Sequence, residues 1–331
     1  MNMNSSFCLP GLRDADDVPH PIANTPLWSE NYLSYANFPE AGIFFWLHHG
    51  RTVYDPELWQ EIFVAYLPGD RYLVSKATAL SDTPTGPRAA GLTYRCVKPF
   101  EAWQKSFRGA ARLLSGDQLR AGAMADGPAI SVKMEQNWTA QGPAFTMDMS
   151  EQSWAATHYE QHCDISGFLE YDGKRVELSG TGIRDHSWGP RDYARVGRHI
   201  WAHAQWQDGR SFMIFHLVSP DGAHTLSHVS VDDGTGNVKA RLVSDAPLID
   251  SIADGQVGYQ FHFELPNGSI VKIDAEIIQT PMLCMVGKAE LGIGAVPDAA
   301  ASHWLCESAT RFTWDGKAAC GLSERTVRRN K

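Results

Sequence analysis

The stretch from His158 to Trp188, HYEQHCDISGFLEYDGKRVELSGTGIRDHSW, consists of two long alternating runs joined by Asp172-Gly173. Alternation with period two marks a half-buried strand, and Asp-Gly between two such runs marks a tight type I′ hairpin. A two-residue turn fixes the pairing. Counting outward, Leu169 faces Val176, Ile165 faces Gly180, Cys163 faces Gly182, Gln161 faces Arg184 and Tyr159 faces His186, all on one side of the sheet. Near the turn that side is apolar, so it is expected to line a core, yet farther out it presents Gln161, Arg184, Tyr159 and His186. The opposite side carries Glu170, Arg175, Glu177, Asp164 and Thr181, a solvated pattern, and Asp185 falls there opposite Glu160. Gly180 and Gly182 are expected to mark a bend or close approach and to leave open space beside His186. A β-bulge would shift the register by one and exchange Asp185 for His186, so the sequence leaves open which of the two points inward.

The same grammar runs along the chain. Asp-Gly or Asn-Gly pairs recur at Asp208-Gly209, Asp221-Gly222, Asp233-Gly234, Asn267-Gly268 and Asp315-Gly316, each between strand-like runs. Helical periodicity is confined to short pieces at Asp55–Ala65 and Ala110–Leu119. Strand–helix alternation and glycine-rich phosphate loops are missing, which disfavours a doubly wound or TIM-barrel fold and gives no nucleotide or dinucleotide signature. The 331 residues exceed one ordinary core. The expectation is an all-β chain divided at the turn-rich Gly189-Pro190-Arg191-Asp192 into domains 1–190 and 191–331, each long enough for a barrel of about eight strands.

Composition narrows the function classes. Hydrophobic residues make up 43% and charged residues 20%, as in folded globular chains. The net charge is −9, and the one basic cluster, Arg325, Arg328, Arg329 and Lys331, reads as a solvated end, so nucleic acid is not an expected partner. No apolar stretch is long enough for a transmembrane helix, and Met1–Arg13 has no secretory pattern. The six cysteines, at 8, 96, 163, 284, 306 and 320, are scattered, which fits reduced thiols and a cytoplasmic location.

A neutral imidazole, a phenol and a guanidinium on one enclosed face can act as base, acid and oxyanion stabiliser. The bland alternative is a satisfied hydrogen-bonding cluster that pins the fold. If Asp208-Gly209 is also a two-residue turn, His203 faces Ile214 and Trp201 faces His216, collecting Trp201, His203 and His216 on one side. These read as pocket lining or a bonded core face, and with no third ligand at recognisable spacing no metal is expected. Trp46 and His48 alternate in a similar way in the first half, and Trp28-Ser29-Glu30-Asn31-Tyr32 is a further polar–aromatic cluster. No nucleophile elbow is present, and Cys163 is the one thiol on the His186 face.

The decapeptide Gly182-Ile183-Arg184-Asp185-His186-Ser187-Trp188-Gly189-Pro190-Arg191 resembles the central motif of the carotenoid 1,2-hydratase-like, AttH-like group. That resemblance implies two tandem lipocalin-like antiparallel β-barrel domains with few short helices. It also implies an active-site role for His186 and Trp188. The group's protonating aspartate has no counterpart, because Ser211 to Leu217 offers Met213, Phe215 and His216 instead. The expected function is therefore a cofactor-independent acid–base lyase or isomerase on a bulky hydrophobic small molecule, for example a lignin-derived phenylcoumaran that loses formaldehyde. In that scheme His186 moves a proton, Tyr159 protonates a leaving oxygen and Arg184 or Arg191 stabilises an anion. Asp185 orients a histidine, and Trp188, Trp201 and His203 line the pocket. An isoprenoid hydratase or dehydratase and a non-catalytic carrier of an apolar ligand are the alternatives.

Overall fold

The computed structural model describes residue 7 and residues 11–81, 84–147, 157–286, 290–294 and 301–329, so Cys8 and Lys331 lie outside the described residues. The first compact unit holds the described residues up to Ser115 and from Ala125 to Asp192. Its strands are β1 (Trp28–Phe38), β2 (Ile43–Arg51), β3 (Leu58–Leu67), β4 (Arg71–Leu80), β5 (Leu92–Lys98), β6 (Ala102–Ser115), β7 (Ala129–Ala140), β8 (Phe145–Met147), β9 (His158–Tyr171) and β10 (Lys174–Pro190). The hydrogen-bonded order is β10-β1-β2-β3-β4-β6-β7-β9, and β9 pairs back onto β10, so eight antiparallel strands close a ring. Closure removes the open edges that a flat sheet would expose.

The β9–β10 hairpin has the expected register. Asp172 and Gly173 both take positive φ, 49° and 70°, as a type I′ turn requires. From Tyr171↔Lys174 to His158↔Ser187 the pairing runs without a bulge, placing Tyr159 opposite His186 and Glu160 opposite Asp185. Leu169, Leu178 and Ile165 join Phe45, Leu47, Phe63, Phe107 and Met134 in the barrel core. Each such side chain contributes about 1.5–3 kcal/mol by leaving water. The inward glycines do not leave a void: a β-carbon on Gly182 would overlap the Tyr35 carbonyl oxygen, and one on Gly180 the Asn37 carbonyl oxygen. They let β1 lie close against β10.

The helical expectations change. Asp55–Ala65 falls largely in β3, where Trp59 to Leu67 is buried on both faces, so a continuous apolar run imitated helical spacing. The Ala110–Leu119 piece is the end of β6 followed by a short helix, Gly116–Arg120.

Residues 116–124 and the described residues from Tyr193 onward form the second unit. Its strands are β11 (Arg198–Gln205), β12 (Ser211–Val218), β13 (Thr225–Asp232), β14 (Asn237–Lys239), β15 (Arg241–Leu242), β16 (Tyr259–Glu264), β17 (Ile270–Gln279), β18 (Met282–Val286), β19 (Glu290–Ile293), β20 (Ala301–Trp314) and β21 (Lys317–Arg328). The order is β14-β13-β12-β11-β21-β20-β17-β16-β15, with β18 paired to β20 and β19 paired to β18. Because β14 and β15 are nearly continuous in the chain, the two ends of this sheet come back towards each other around Phe212, Phe261, Phe263 and Phe312.

Here one register differs from expectation. The loop at Asp208-Gly209 spans three residues, with the Trp206 amide donating to the Arg210 carbonyl at 2.8 Å and Gly209 at φ 90°. Trp201 therefore faces Phe215, His203 faces Met213, and His216 faces Ile200. A turn longer by one residue moves one strand's side chains to the other face.

No helix among the described residues is long and apolar enough to cross a membrane. Among the described residues, Cys96, Cys163, Cys284, Cys306 and Cys320 form no disulfide.

Candidate active site

Three neighbouring strands of the first barrel build the site. On β1, Glu30 stands opposite Trp188, Tyr32 opposite His186 and Ser34 opposite Arg184, while β9 adds Tyr159 and Gln161. These side chains enter the barrel in successive rows. Trp188 is half-buried, and Glu30, Tyr159, Gln161 and His186 are completely buried. The turn Asp14–Asp17 supplies the remaining partner, Asp17.

Asp17 is the anion around which the deeper rows are organised. Its carboxylate accepts from Arg184 Nη1 at 2.6 Å, the Phe100 amide at 2.6 Å, Trp103 Nε1 at 2.9 Å and the Tyr159 hydroxyl. Arg184 also donates to Gln161 Oε1 from Nε at 2.9 Å and from Nη2 at 2.5 Å. Burial works against its charge, but Asp17 more than offsets this and holds the guanidinium pKa above its ordinary value. A buried charge persists when it is paired and its remaining donors are satisfied, and both conditions hold for Arg184.

Nearer the rim, Glu30 plays the same part for two imidazoles and a second guanidinium. Its Oε1 lies 3.1 Å from His186 Nε2 and 2.8 Å from His20 Nδ1, and its Oε2 accepts from Arg51 Nε at 3.0 Å. Burial pushes the Glu30 pKa up, but hydrogen bonds from His186 and His20 outweigh it and bring it to about 2. A carboxylate acceptor assigns the His186 proton to Nε2 and leaves the Nδ1 lone pair facing Tyr159, whose hydroxyl is 3.2 Å away. Burial lowers the pKa of His186 against the opposing pull of Glu30, so its neutral form is favoured. Burial and then Asp17 raise the Tyr159 pKa well above the phenol value. The result is a neutral phenol beside a neutral imidazole, the imidazole held from behind by a carboxylate. Tyr32 stacks on His186 at 3.8 Å between ring centroids, and His20 stacks on Trp188 at 4.1 Å.

Arg184, Tyr159, His186 and Trp188 thus come together. Asp185 lies on the other face, where its carboxylate contacts His158 Nε2 beside Glu160. That face was expected to be solvated, but Asp185, Glu160 and His158 are buried. Trp46 and His48 share it, with rings stacked at 5.5 Å. Burial brings His48 down to about 4 against the opposing charge of Asp185, with the Arg191 charge a smaller cause in the same direction as burial. In the second unit Trp201 and His203 lie on the face away from its core, whereas His216 lies across from Ile200, a core residue.

Asp17, His20 and Arg51 were not anticipated. No local pattern marks them, since Asp17 is 167 residues from Arg184 and His20 is held through Glu30. Glu30 and Tyr32 belong to the polar–aromatic cluster already noted.

Among the described residues, two trios could hold a metal ion by spacing alone: His20, Glu30 and His186, and His158, Glu160 and Asp185, with ligand atoms within 4.8 Å of one another. In the first, His186, His20 and Arg51 already saturate Glu30 with N–H donors, so hydrogen bonding accounts for the arrangement without an ion.

Fold and site together define a tandem lipocalin-like β-barrel protein whose first barrel closes around buried ionisable groups. The chain belongs to the family described as "Domain of unknown function (DUF7064)", which matches residues 13–329. No curated protein matches the sequence significantly. Among solved structures, a putative AttH from Nitrosomonas europaea aligns with 94% of this chain and 98% of its own at 13% identity and a TM-score of 0.56. Kievitone hydratase from Nectria haematococca aligns over 99% and 96% at 9% identity and a TM-score of 0.57. CghA aligns over 92% and 88% at 15% identity and a TM-score of 0.54. At these identities the likeness is one of fold.

Proposed function

We propose that the first barrel catalyses acid–base chemistry on a bulky apolar small molecule, as a cofactor-independent lyase or isomerase. The observation that carries this is the chain of contacts Asp17–Tyr159–His186–Glu30, in which a neutral phenol and a neutral imidazole lie 3.2 Å apart between two carboxylates. In this reading His186 Nδ1 takes a proton from the substrate, Tyr159 delivers one to a leaving oxygen, and Arg184 stabilises the developing anion. Neutral groups suit both tasks at neutral pH, because each can exchange a proton without first being titrated. His20 and Trp188, partly exposed, form the approach for an aromatic substrate. Lignin-derived phenylcoumarans fit the scheme, since ring opening with formaldehyde loss needs only acid–base groups around a phenol.

Addition or removal of water is the second reading, favoured by the fold shared with kievitone hydratase. Mass spectrometry of phenylcoumaran, stilbenoid and isoprenoid compounds incubated with chelator-treated protein separates the two. Loss of the mass of formaldehyde supports the lyase, and gain or loss of water supports the hydratase. Turnover should vanish in His186→Gln. Compounds that co-purify unchanged with both proteins would sink the enzymatic reading in favour of a carrier.

A further inference from the structure

One row deeper than His186, the barrel holds a group that the acid–base array does not use. Lys105 on β6 is 2% exposed, and its Nζ crosses the interior to donate to Ser34 Oγ on β1, a strand that is not its neighbour in the sheet. The amine sits over the Trp138 ring at 3.4 Å and near the Tyr94 ring at 4.7 Å. Among the described residues no carboxylate lies within ion-pair distance of it. The charged groups nearest it are Arg184 and Asp17, which neutralise each other, and the other titratable groups facing it are Cys163 on β9, Tyr94 on β5 and His49 on β2. Burial pushes the Cys163 thiol up to about 11 and His49 down to about 3, so both are neutral at ordinary pH.

An unpaired buried ammonium loses more solvation than two aromatic faces return, so burial drives the pKa of this amine well below the usual lysine value and favours its free base. A free-base amine is a nucleophile, and lysines desolvated in this way form Schiff bases with carbonyl compounds.

We propose that Lys105 is a nucleophilic amine that captures small uncharged aldehydes as imines inside the first barrel. The Nζ lone pair forms a bond to the carbonyl carbon, and a nitrogen-bound proton passes through the Ser34 hydroxyl to the carbonyl oxygen. Loss of water then leaves a carbon–nitrogen double bond, so amine and aldehyde become imine and water with no oxidant or reductant. The aromatic walls select for an uncharged reactant, because a charged one would have to shed its own hydration to reach the nitrogen.

The test is competitive reductive alkylation of the full-length protein with propionaldehyde and cyanoborohydride, read by peptide mass spectrometry. Lys98 and Lys317, whose side chains are 63% and 65% exposed, are the internal references. An exposed lysine gains free base roughly tenfold per pH unit, whereas an amine already in that form gains none. The ratio of Lys105 label to reference label is therefore expected to fall roughly tenfold for each unit of pH between about 6 and 8. Lys105→Arg should lose the adduct at that position and leave labelling at Lys98 and Lys317 unchanged. A ratio that stays constant with pH, or reference lysines labelled while Lys105 stays bare, overturns the proposal. Both readouts come from the unsubstituted chain, so the result stands even if the variant fails to fold.

Discussion

His186 and Asp185, adjacent in the chain, serve opposite faces of one strand: His186 Nε2 meets Glu30 inside the barrel, and Asp185 meets His158 on the outer side. The unbulged β9–β10 ladder enforces that separation, and the predictions below divide along it.

Tyr159→Phe removes the phenolic proton and leaves the ring. If Tyr159 is the general acid, turnover should fall by about 10²–10⁴. The lost hydrogen bond to Asp17 should cost about 1–3 kcal/mol of stability by urea unfolding. Activity within a few fold of the unsubstituted protein would reassign the acid.

Asp17→Asn keeps the shape and removes the counter-charge of buried Arg184. Breaking a buried pair from one side costs about 3–5 kcal/mol, and a loss of that size is expected. Asp17→Asn combined with Arg184→Met should recover part of it. A single-variant loss below about 1 kcal/mol would mean that Gln161 alone satisfies the guanidinium.

Asp185→Asn tests the outer face. It disturbs the contact with His158 and is expected to lower stability while leaving turnover within about twofold, because its carboxylate points away from the His186 row. A collapse of turnover at unchanged stability would place the chemistry on the other side of the sheet.

Acid should destabilise the protein in two stages. His48 and His49 are depressed by burial to about 4 and about 3, and His186 is lowered as well. In the unfolded chain these groups bind protons at higher pH than in the fold. Their contribution is therefore fully present above about pH 6.5 and is lost as pH falls towards the folded values, by up to about 1.4 kcal/mol per unit for each histidine. Glu30, depressed to about 2, adds a loss that begins only below its ordinary value of 4.5. Urea midpoints should be level above about pH 6.5 and fall from there to about pH 4, and a profile flat across that lower range would contradict neutral burial of the imidazoles.

The hairpin that carries the site was legible because a two-residue turn leaves no freedom of register, so Tyr159, Gln161, Arg184 and His186 could be placed on one face from the sequence. Asp208-Gly209 misled for the same reason in reverse: one additional loop residue before Arg210 changes the faces and separates His216 from Trp201 and His203. On β2 alternation does not distinguish an inward from an outward face, because both faces are buried. Asp17 and His20 stayed invisible because they reach the site from a short turn and an irregular segment, which carry no periodicity.

Asp17 also sets when the site can exist. Its partners lie 83, 86, 142 and 167 residues along the chain, and the last of them is on the strand that closes the ring. Contacts of such separation form late, after the entropy of closing long loops has been met. During synthesis the N-terminal turn must therefore wait, its two successive aspartates hydrated, until β10 has emerged. Assembly of the array and closure of the first barrel then become a single event.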